Sequence, residues 1–303
     1  MSDAYLRFWG VRGSYSAPFD THLGVGGNTS CVEIRVGEHL LICDAGSGIV
    51  PFGNEIIKQS DIKEMLIIMT HYHWDHICGL PFFVPAFMPD WKINFFGPGH
   101  SGNDIKEYVS AQMRAPFFPV GTETWLAKTN YLNPSEDNKL TYGPISFTYQ
   151  SVHHPGTTYG YRILVNGKSI LYVSDNECLF LNKAIREKYA EFSSEEQALY
   201  DAMQQEEYDS ELALIKGADI LIHDAQYTPE DYRKKHGWGH SCYIDTVNTA
   251  IDAGVKELYL YHHDPNYDDE TIEKIGANAL AIIQDRNSPL KCYIAREGMQ
   301  IEL

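Results

Sequence analysis

Three histidines and an aspartate follow directly on an apolar run in the segment from Met65 to His76. The run itself, MLIIM, is short and continuous, which is typical of a strand that is buried on both faces. A buried strand fixes the backbone, and the turn that follows it can aim polar side chains at a common point. The segment therefore predicts a sheet whose inner strand ends in a cluster of ionisable groups.

The four clustered side chains are of the types that bind metal ions. His71 and His73 are two residues apart and share a face if the strand continues, whereas Asp75 and His76 fall on the turn beyond it. Imidazole nitrogen and carboxylate oxygen are ligands for zinc and similar transition metals. Four such groups are too many for one catalytic ion with an open coordination position, so the cluster predicts two ions that share a site.

The remaining ligands must come from other parts of the chain. Three later apolar runs also end in histidine or aspartate, and each run is predicted to be a strand. The candidates are the pair His153 and His154 after ISFTYQSV, Asp175 after ILYVS, and the pair His262 and His263 after ELYLY. Spacing alone does not choose within either pair of histidines.

The order of predicted elements indicates an α/β fold. Each half of the chain opens with strands and continues with alternating helices and strands, and no linker or low-complexity tract divides residues 1–303. We therefore expect a single domain of two sheets packed face to face with helices outside. The last two runs, KCYIAR and MQIEL, are predicted to form a closing hairpin.

Two further segments are predicted to lie outside the sheets. Residues 115–134 form an aromatic, proline-containing stretch without a clear period, predicted to be an irregular flap. Its aromatic rings, together with Phe82, Phe83 and Phe87, could stack a nucleobase above the metals or belong to the core. Residues 187–211 are acidic and read as a solvated helix with a capping box from Ser193 to Glu196.

The charge of the chain favours a small substrate over a polyanion. Against 24 lysine and arginine residues stand 41 aspartate and glutamate residues, which gives a formal net charge of −17. Nucleic-acid binders usually present a basic face that displaces counterions from phosphates. We therefore expect a small-molecule phosphodiester as the partner and no stable binding of nucleic acid.

The same composition suggests a cytoplasmic protein. No apolar run approaches the roughly 20 residues of a membrane span, and we see no leader sequence, so no membrane partner is expected. The six cysteines are scattered without a C-x-x-C pair, as expected in a reducing compartment.

These motifs resemble those of the metallo-β-lactamase-fold hydrolases. The matches are THYHWDH, the histidine of HPGTTYGYRI, the aspartate of YVSD and the histidine of LYLYHHDP, supported by FWGVRGS, GGNTSC, LICDAGSG, LIHDAQY and GHS. They are closest to the phosphodiesterase branch, which includes RNase Z and smaller cyclic-nucleotide phosphodiesterases. The resemblance implies a four-layer αββα sandwich, a homodimer and a binuclear metal-dependent hydrolase.

The resemblance also divides the ligands between two divalent ions, zinc first, with manganese or iron as alternatives. It makes His71, His73 and His154 ligands of one ion and Asp75, His76 and His262 ligands of the other, and Asp175 bridges both. In the family, one histidine lies seven residues before the second aromatic residue of the Y-G-Y element, here Tyr161, which selects His154. The other family histidine directly follows its strand and precedes a proline by three, here Pro265, which selects His262. His153 and His263 would then lie outside the ligand set.

The implied reaction is attack of a metal-activated hydroxide on a small phosphodiester, with a cyclic nucleotide or related cyclic phosphate as the first candidate. Asp75 would also orient or deprotonate the attacking water, and the pair His240 and Asp224 looks like the proton donor to the leaving group. The tRNA-cleaving branch generally carries glutamate in place of Asp224, and its long basic arm has no counterpart in this chain. Two alternatives are a hydrolase of esters, thioesters or lactones on the same fold, and a non-catalytic metal-binding protein.

Overall fold

The computed structural model describes residues 4–59, 62–181 and 189–303, in which fourteen strands form two sheets of seven. The first sheet has the strand order β14-β1-β2-β3-β4-β5-β6, and the second has the order β13-β12-β11-β10-β9-β8-β7. Strands β1 to β3 and β7 to β10 are joined antiparallel, whereas β3 to β6 and β10 to β13 run parallel. Each sheet thus combines an antiparallel part with a parallel part.

The strands have the following bounds. In the first sheet they are β1 Ala4–Gly10, β2 Cys31–Val36, β3 His39–Cys43, β4 Glu64–Ile68, β5 Lys92–Phe96, β6 Lys128–Tyr131 and β14 Gln300–Glu302. In the second sheet they are β7 Lys139–Tyr142, β8 Ile145–Ser151, β9 Tyr159–Val165, β10 Lys168–Val173, β11 Ile220–Asp224, β12 Glu257–Tyr261 and β13 Lys291–Ile294.

Seven α-helices and several short 3₁₀ turns accompany the sheets in the described residues. The helices are α1 Ile49–Ile56, α2 Trp74–Ile77, α3 Gly102–Ala111, α4 Ser194–Ile215, α5 Pro229–Tyr232, α6 Tyr243–Asp252 and α7 Asp269–Asp285. The predicted capping box at the start of α4 is present, with Ser193 and Glu196 bonded reciprocally. The part of the predicted acidic helix before residue 189 lies outside the described residues.

Alternation along the inner strands explains why both faces of the first sheet are buried. In β4, Leu66 and Ile68 face the second sheet, whereas Met65 and Ile67 pack on the opposite side in the cluster that includes α1 and α3. On the far side of the second sheet, α6 and α7 contribute residues such as Val247 to the larger core cluster. The result is the expected four-layer αββα arrangement of an α/β protein.

The predicted closing hairpin is wrong. Strand β13 pairs in parallel with β12 in the second sheet, and β14 crosses to the first sheet, where it pairs antiparallel with β1. Residues 295–299 therefore connect the two sheets rather than forming a tight turn. Two neighbouring apolar runs suggested a hairpin because local pattern carries no information about which distant edge is open.

The flap divides between core and surface. Trp125 and Phe83 are buried in the cluster on the outer face of the first sheet, whereas Phe117 and Phe82 are largely exposed. All six cysteines lie among the described residues and are free thiols. No helix within residues 4–59, 62–181 and 189–303 is long and apolar enough to cross a membrane.

Candidate metal centre

The parallel strands of both sheets deliver polar side chains to one edge of the sandwich. His71, Asp175 and His262 each lie within three residues of the last residue of β4, β10 and β12, respectively. The short helix α2 adds two more of the predicted ligands, and His154 follows β8. His262 has a φ of 58°, a left-handed conformation that is uncommon for a residue with a side chain and that turns its imidazole back toward the cluster.

The side chains meet in two groups whose donor atoms lie within 4.8 Å of one another. The first group is His71, His73 and His154, and the second is Asp75, His76, Asp175 and His262. These are the seven residues expected from the sequence, divided in the expected way.

Asp175 lies between the two groups. Its Oδ2 is 3.8 Å from the Nε2 atoms of both His71 and His154. Its Oδ1 is 3.1 Å from His76 Nε2 and 3.4 Å from His262 Nε2. One carboxylate oxygen thus faces each group, as a carboxylate shared by two ions would.

Most of the histidines are held by the nitrogen that faces away from the cluster. His76 Nδ1 is 2.8 Å from Asp44 Oδ2, His154 Nδ1 is 2.7 Å from the carbonyl of Gly239, and His262 Nδ1 is 3.0 Å from Gln226 Oε1. Hydrogen bonds of this kind fix the proton on Nδ1 and leave the Nε2 lone pair free for a metal ion.

Some inward-facing nitrogens face one another or lack a partner, and others face carboxylate oxygens, which together fits a bound cation. His76 Nε2 and His262 Nε2 are 3.3 Å apart, and His73 Nδ1 is 2.9 Å from His154 Nε2, so that lone pairs face one another. His71 Nε2 is buried and has no hydrogen-bond partner among the described residues. Buried groups of this type are normally satisfied, and a divalent ion would satisfy both sets.

The electrostatics of the cluster also favour a cation. Burial lowers the pKa of His71 well below its ordinary value, so this imidazole is a neutral donor. For His76, burial acts in the same direction, but Asp175, Asp75 and Asp44 outweigh it and raise its pKa well above the usual range. Three carboxylates thus draw positive charge to this position, and metal ions compete with protons for such sites.

His240 and Asp224 form a hydrogen-bonded pair beside the cluster. His240 Nδ1 is 2.8 Å from Asp224 Oδ2, and a ring nitrogen of His240 lies within 4.8 Å of donor atoms of His154 and Asp175. Burial lowers the pKa of His240, and burial raises the pKa of Asp224 well above its usual value. The 2.8 Å distance shows that Asp224 reaches His240, although its side chain is shorter than the glutamate of the tRNA-cleaving branch. The two side chains can hold one proton between them.

A glycine is required in the loop that carries His240. Gly239 has a φ of 85°, and a Cβ at this position would lie 2.4 Å from His154 Nδ1. Its carbonyl accepts the hydrogen bond from that imidazole, and its N–H donates to buried Glu177. The G-W-G-H sequence thus positions His154 and His240 together.

Several residues that support the cluster were not singled out in the sequence. Asp44 accepts hydrogen bonds from His76, from the Thr70 N–H at 2.7 Å and from the Tyr172 hydroxyl at 2.8 Å. Ser14 N–H donates to Asp75 Oδ2 at 2.6 Å. Asp44 lies within the quoted motif LICDAGSG and has a φ of 61°, an unusual conformation that no sequence pattern reveals.

The neighbours in each histidine pair lie outside the two groups. His153 stacks on Phe180 with ring centroids 3.9 Å apart, and buried His263 lies with its Nε2 3.1 Å from the carbonyl of Ala295. His223 contacts Cys178 and the backbone of the following residue instead of the cluster. Asn28, in the motif GGNTSC, bonds to Glu297 and Ser47.

Comparison with known proteins establishes the family. The model of the metallo-beta-lactamase superfamily matches residues 24–178, just over half of the chain. The chain belongs to this superfamily, and its relatives named ribonuclease Z support a metal-dependent hydrolase.

Relatives and solved structures agree with this assignment. Ribonuclease Z of Sulfolobus acidocaldarius is 28% identical over 91% of this chain and 98% of its own length. Among solved structures, the metallo-beta-lactamase fold protein YhfI from Bacillus subtilis aligns over all of both chains with a TM-score of 0.67 and 18% identity. The short form of human tRNase Z aligns over 98% of both chains with a TM-score of 0.60 and 18% identity.

The expectation that the partner is exclusively a small molecule, with no nucleic-acid binding, is wrong. It rested on the net charge of −17, yet relatives that align along nearly the whole chain are named as ribonucleases. Net charge is a poor guide here because much of it lies in exposed segments such as α4, whereas a metal centre supplies positive charge locally. The charge of the whole chain does not describe the surface that meets a phosphate.

Proposed function

We propose that this protein hydrolyses a nucleotide phosphodiester at a centre of two divalent ions. His71, His73 and His154 would hold one ion, Asp75, His76 and His262 the other, and Asp175 both. The observation that carries the proposal is the His240 and Asp224 pair, hydrogen-bonded at 2.8 Å and adjacent to both ligand groups. A phosphodiester needs a proton at its leaving oxygen, and this pair provides a place to hold one.

Zinc is the first candidate for the ions, and when bound they lower the pKa of water and neutralise negative charge on the diester. The side chains of the protein would position the reacting groups and transfer the protons. Asp75 is held through Oδ2 by Ser14 N–H and lies near His262 Nε2, so its Oδ1 is the atom placed to accept a proton from the attacking water. His240 Nε2 would donate a proton to the leaving oxygen, and Asp224 would hold the imidazole through Nδ1.

Two substrates fit this chemistry. The first is a cyclic nucleotide or related cyclic phosphate, which the sequence motifs favour and which is small enough for the cavity of about 360 Å³ beside His71 and His73. The second is an RNA strand, which the named activity of the ribonuclease Z relatives favours. Both present the same phosphodiester group to the metal centre.

The experiment is hydrolysis by metal-reconstituted protein of a substrate panel. The panel contains 2′,3′- and 3′,5′-cyclic nucleotides, a precursor tRNA, bis(p-nitrophenyl) phosphate, a lactone and a thioester. The variant His240→Ala is assayed beside His236→Ala, a matched control from the same loop whose imidazole lies near Glu177. We expect diester turnover that falls roughly 10²- to 10⁴-fold in the first variant and is retained in the second.

The outcomes separate the alternatives. Turnover of the lactone or thioester only, unaffected by His240→Ala, would refute the phosphodiesterase proposal while leaving the metal centre intact. Elemental analysis of the same samples gives the identity and number of the ions. A protein that binds no metal and turns over nothing would be a non-catalytic member of the superfamily.

A further inference from the structure

An aromatic cavity adjoins the metal centre on the side of His71 and His73. Its volume is about 360 Å³, within the range of small-ligand sites, and both of these histidines form part of its wall. The rest of the wall comes from three separate segments, around residues 72, 98–108 and 155–159. A molecule in this cavity would have one end at the proposed ligands of the first ion.

Three tyrosine rings line the cavity. Tyr72 and Tyr108 have ring centroids 4.9 Å apart at 50°, and Tyr159 follows on the opposite segment. Tyr108 is 42% exposed, so its ring is accessible from the cavity. Such surfaces bind planar rings well, because a base can stack on each aromatic face.

The orientation of Tyr72 is fixed by its surroundings. Its hydroxyl is buried and has no hydrogen-bond partner among the described residues, and it lies over Gly97, where a Cβ would be only 2.7 Å away. The ring therefore has its polar end turned into the protein.

The charge of the wall suits a nucleotide. None of the described residues that line the cavity is acidic, although the chain as a whole carries a formal charge of −17. The exposed side chains of His100 and Thr157 lie in the wall and could bond to the edge of a base.

We propose that this cavity binds the nucleobase of the substrate, with Tyr72, Tyr108 and Tyr159 as specificity-determining residues. The inference rests on the proposed phosphodiesterase function and adds where the base lies. The base could belong to a cyclic nucleotide or to a nucleotide of an RNA strand, since both offer the same planar ring.

The test compares Tyr108→Ala and Tyr108→Phe with Phe117→Ala, which removes an exposed aromatic ring from the flap outside this cavity. Each metal-loaded protein is assayed with a cyclic nucleotide, with the corresponding abasic ribose cyclic phosphate and with a short RNA. We expect Tyr108→Ala to raise KM for the base-containing substrate roughly 10-fold without lowering kcat, and to leave the abasic substrate unchanged. Tyr108→Phe and Phe117→Ala should match the wild type.

A binding measurement keeps the two proposals separate. Adenosine 5′-monophosphate is titrated calorimetrically into the same metal-loaded proteins, and its affinity should fall roughly 10-fold in Tyr108→Ala only. If diesters are hydrolysed but Tyr108→Ala changes neither KM nor this affinity, the base site is refuted and the phosphodiesterase stands. If no diester is hydrolysed but the nucleotide binds through Tyr108, the base site stands and the reaction is wrong. If Tyr108→Ala raises KM only for the RNA, or only for the cyclic nucleotide, then that substrate supplies the base.

Discussion

Replacement of Asp44 by asparagine is expected to weaken metal binding even though Asp44 is not a proposed ligand. Its two oxygens accept from the Thr70 N–H at 2.7 Å, the Tyr172 hydroxyl at 2.8 Å and His76 Nδ1 at 2.8 Å. An asparagine presents an NH₂ group in place of one oxygen, so at least one of these donors would face another donor. His76 can relieve the conflict by moving its proton to Nε2, which removes the lone pair that faces the centre.

The magnitude follows from this geometry. Loss of such a supporting partner typically lowers metal affinity by about 10- to 100-fold, or about 1.4–2.7 kcal/mol. Leaving a buried donor unpaired should also lower the stability of the metal-free protein by about 1–3 kcal/mol. Asp44→Asn should therefore differ from wild type in both measurements, with the larger part of the affinity loss at the second group of ligands.

Affinity is measured by competition with a chelating dye, and stability by urea unfolding in EDTA. Asp219→Asn is the matched control, because Asp219 accepts bonds from Ser169 and Lys256 away from the site. The control should lose some stability and keep its metal affinity. If Asp44→Asn binds metal as tightly as the control does, then the orientation of His76 does not depend on Asp44 and the reasoning is wrong.

Three further predictions concern stability. Removal of the ions by EDTA should lower the free energy of unfolding by about 2.7 kcal/mol for each ion, relative to protein in metal at 100 times Kd, because only the folded chain assembles the two ligand groups; an unchanged urea midpoint would contradict this. Burial lowers the pKa of His223 to about 4, so the unfolded chain takes up this proton first, and stability contributed by neutral His223 is present above pH 6.5 and lost as the pH falls toward 4. Between pH 6.5 and pH 5, the free energy of unfolding in EDTA, measured with urea, should therefore fall by about 2 kcal/mol less for His223→Gln than for the wild type. Gly97→Ala should cost about 1–3 kcal/mol, since its Cβ would displace the Tyr72 ring, and it should also raise KM for nucleotides; wild-type stability in urea would show that the ring can move freely.

The ligand groups were predictable because their signal is local. His71, His73, Asp75 and His76 follow one apolar run, and Asp175 and His262 follow two others, so strand periodicity and residue type together indicate a shared edge. The division of the ligands between two ions came from the family resemblance rather than from spacing. The structure places the side chains in the same two groups.

The supporting residues and the cavity were not predictable because they depend on contacts between distant parts of the chain. Asp44 acts through contacts with Thr70, His76 and Tyr172, which lie 26 to 128 residues away along the chain. A single aspartate before a glycine-rich turn gives no sign of those partners. The cavity likewise depends on three segments whose proximity is decided by tertiary packing, and the same is true of the partner of β14.

The path of β14 has a consequence for how the protein is made. Because β1 pairs with Gln300–Glu302, one edge of β1 stays open until synthesis has passed residue 302, nearly 300 residues later. Contacts of such long sequence separation form slowly, and an unpaired edge can pair with other chains in the meantime. Removal of residues 300–303 should therefore reduce the yield of folded protein during synthesis more than it disturbs the metal centre, because none of the proposed ligands lies in these residues.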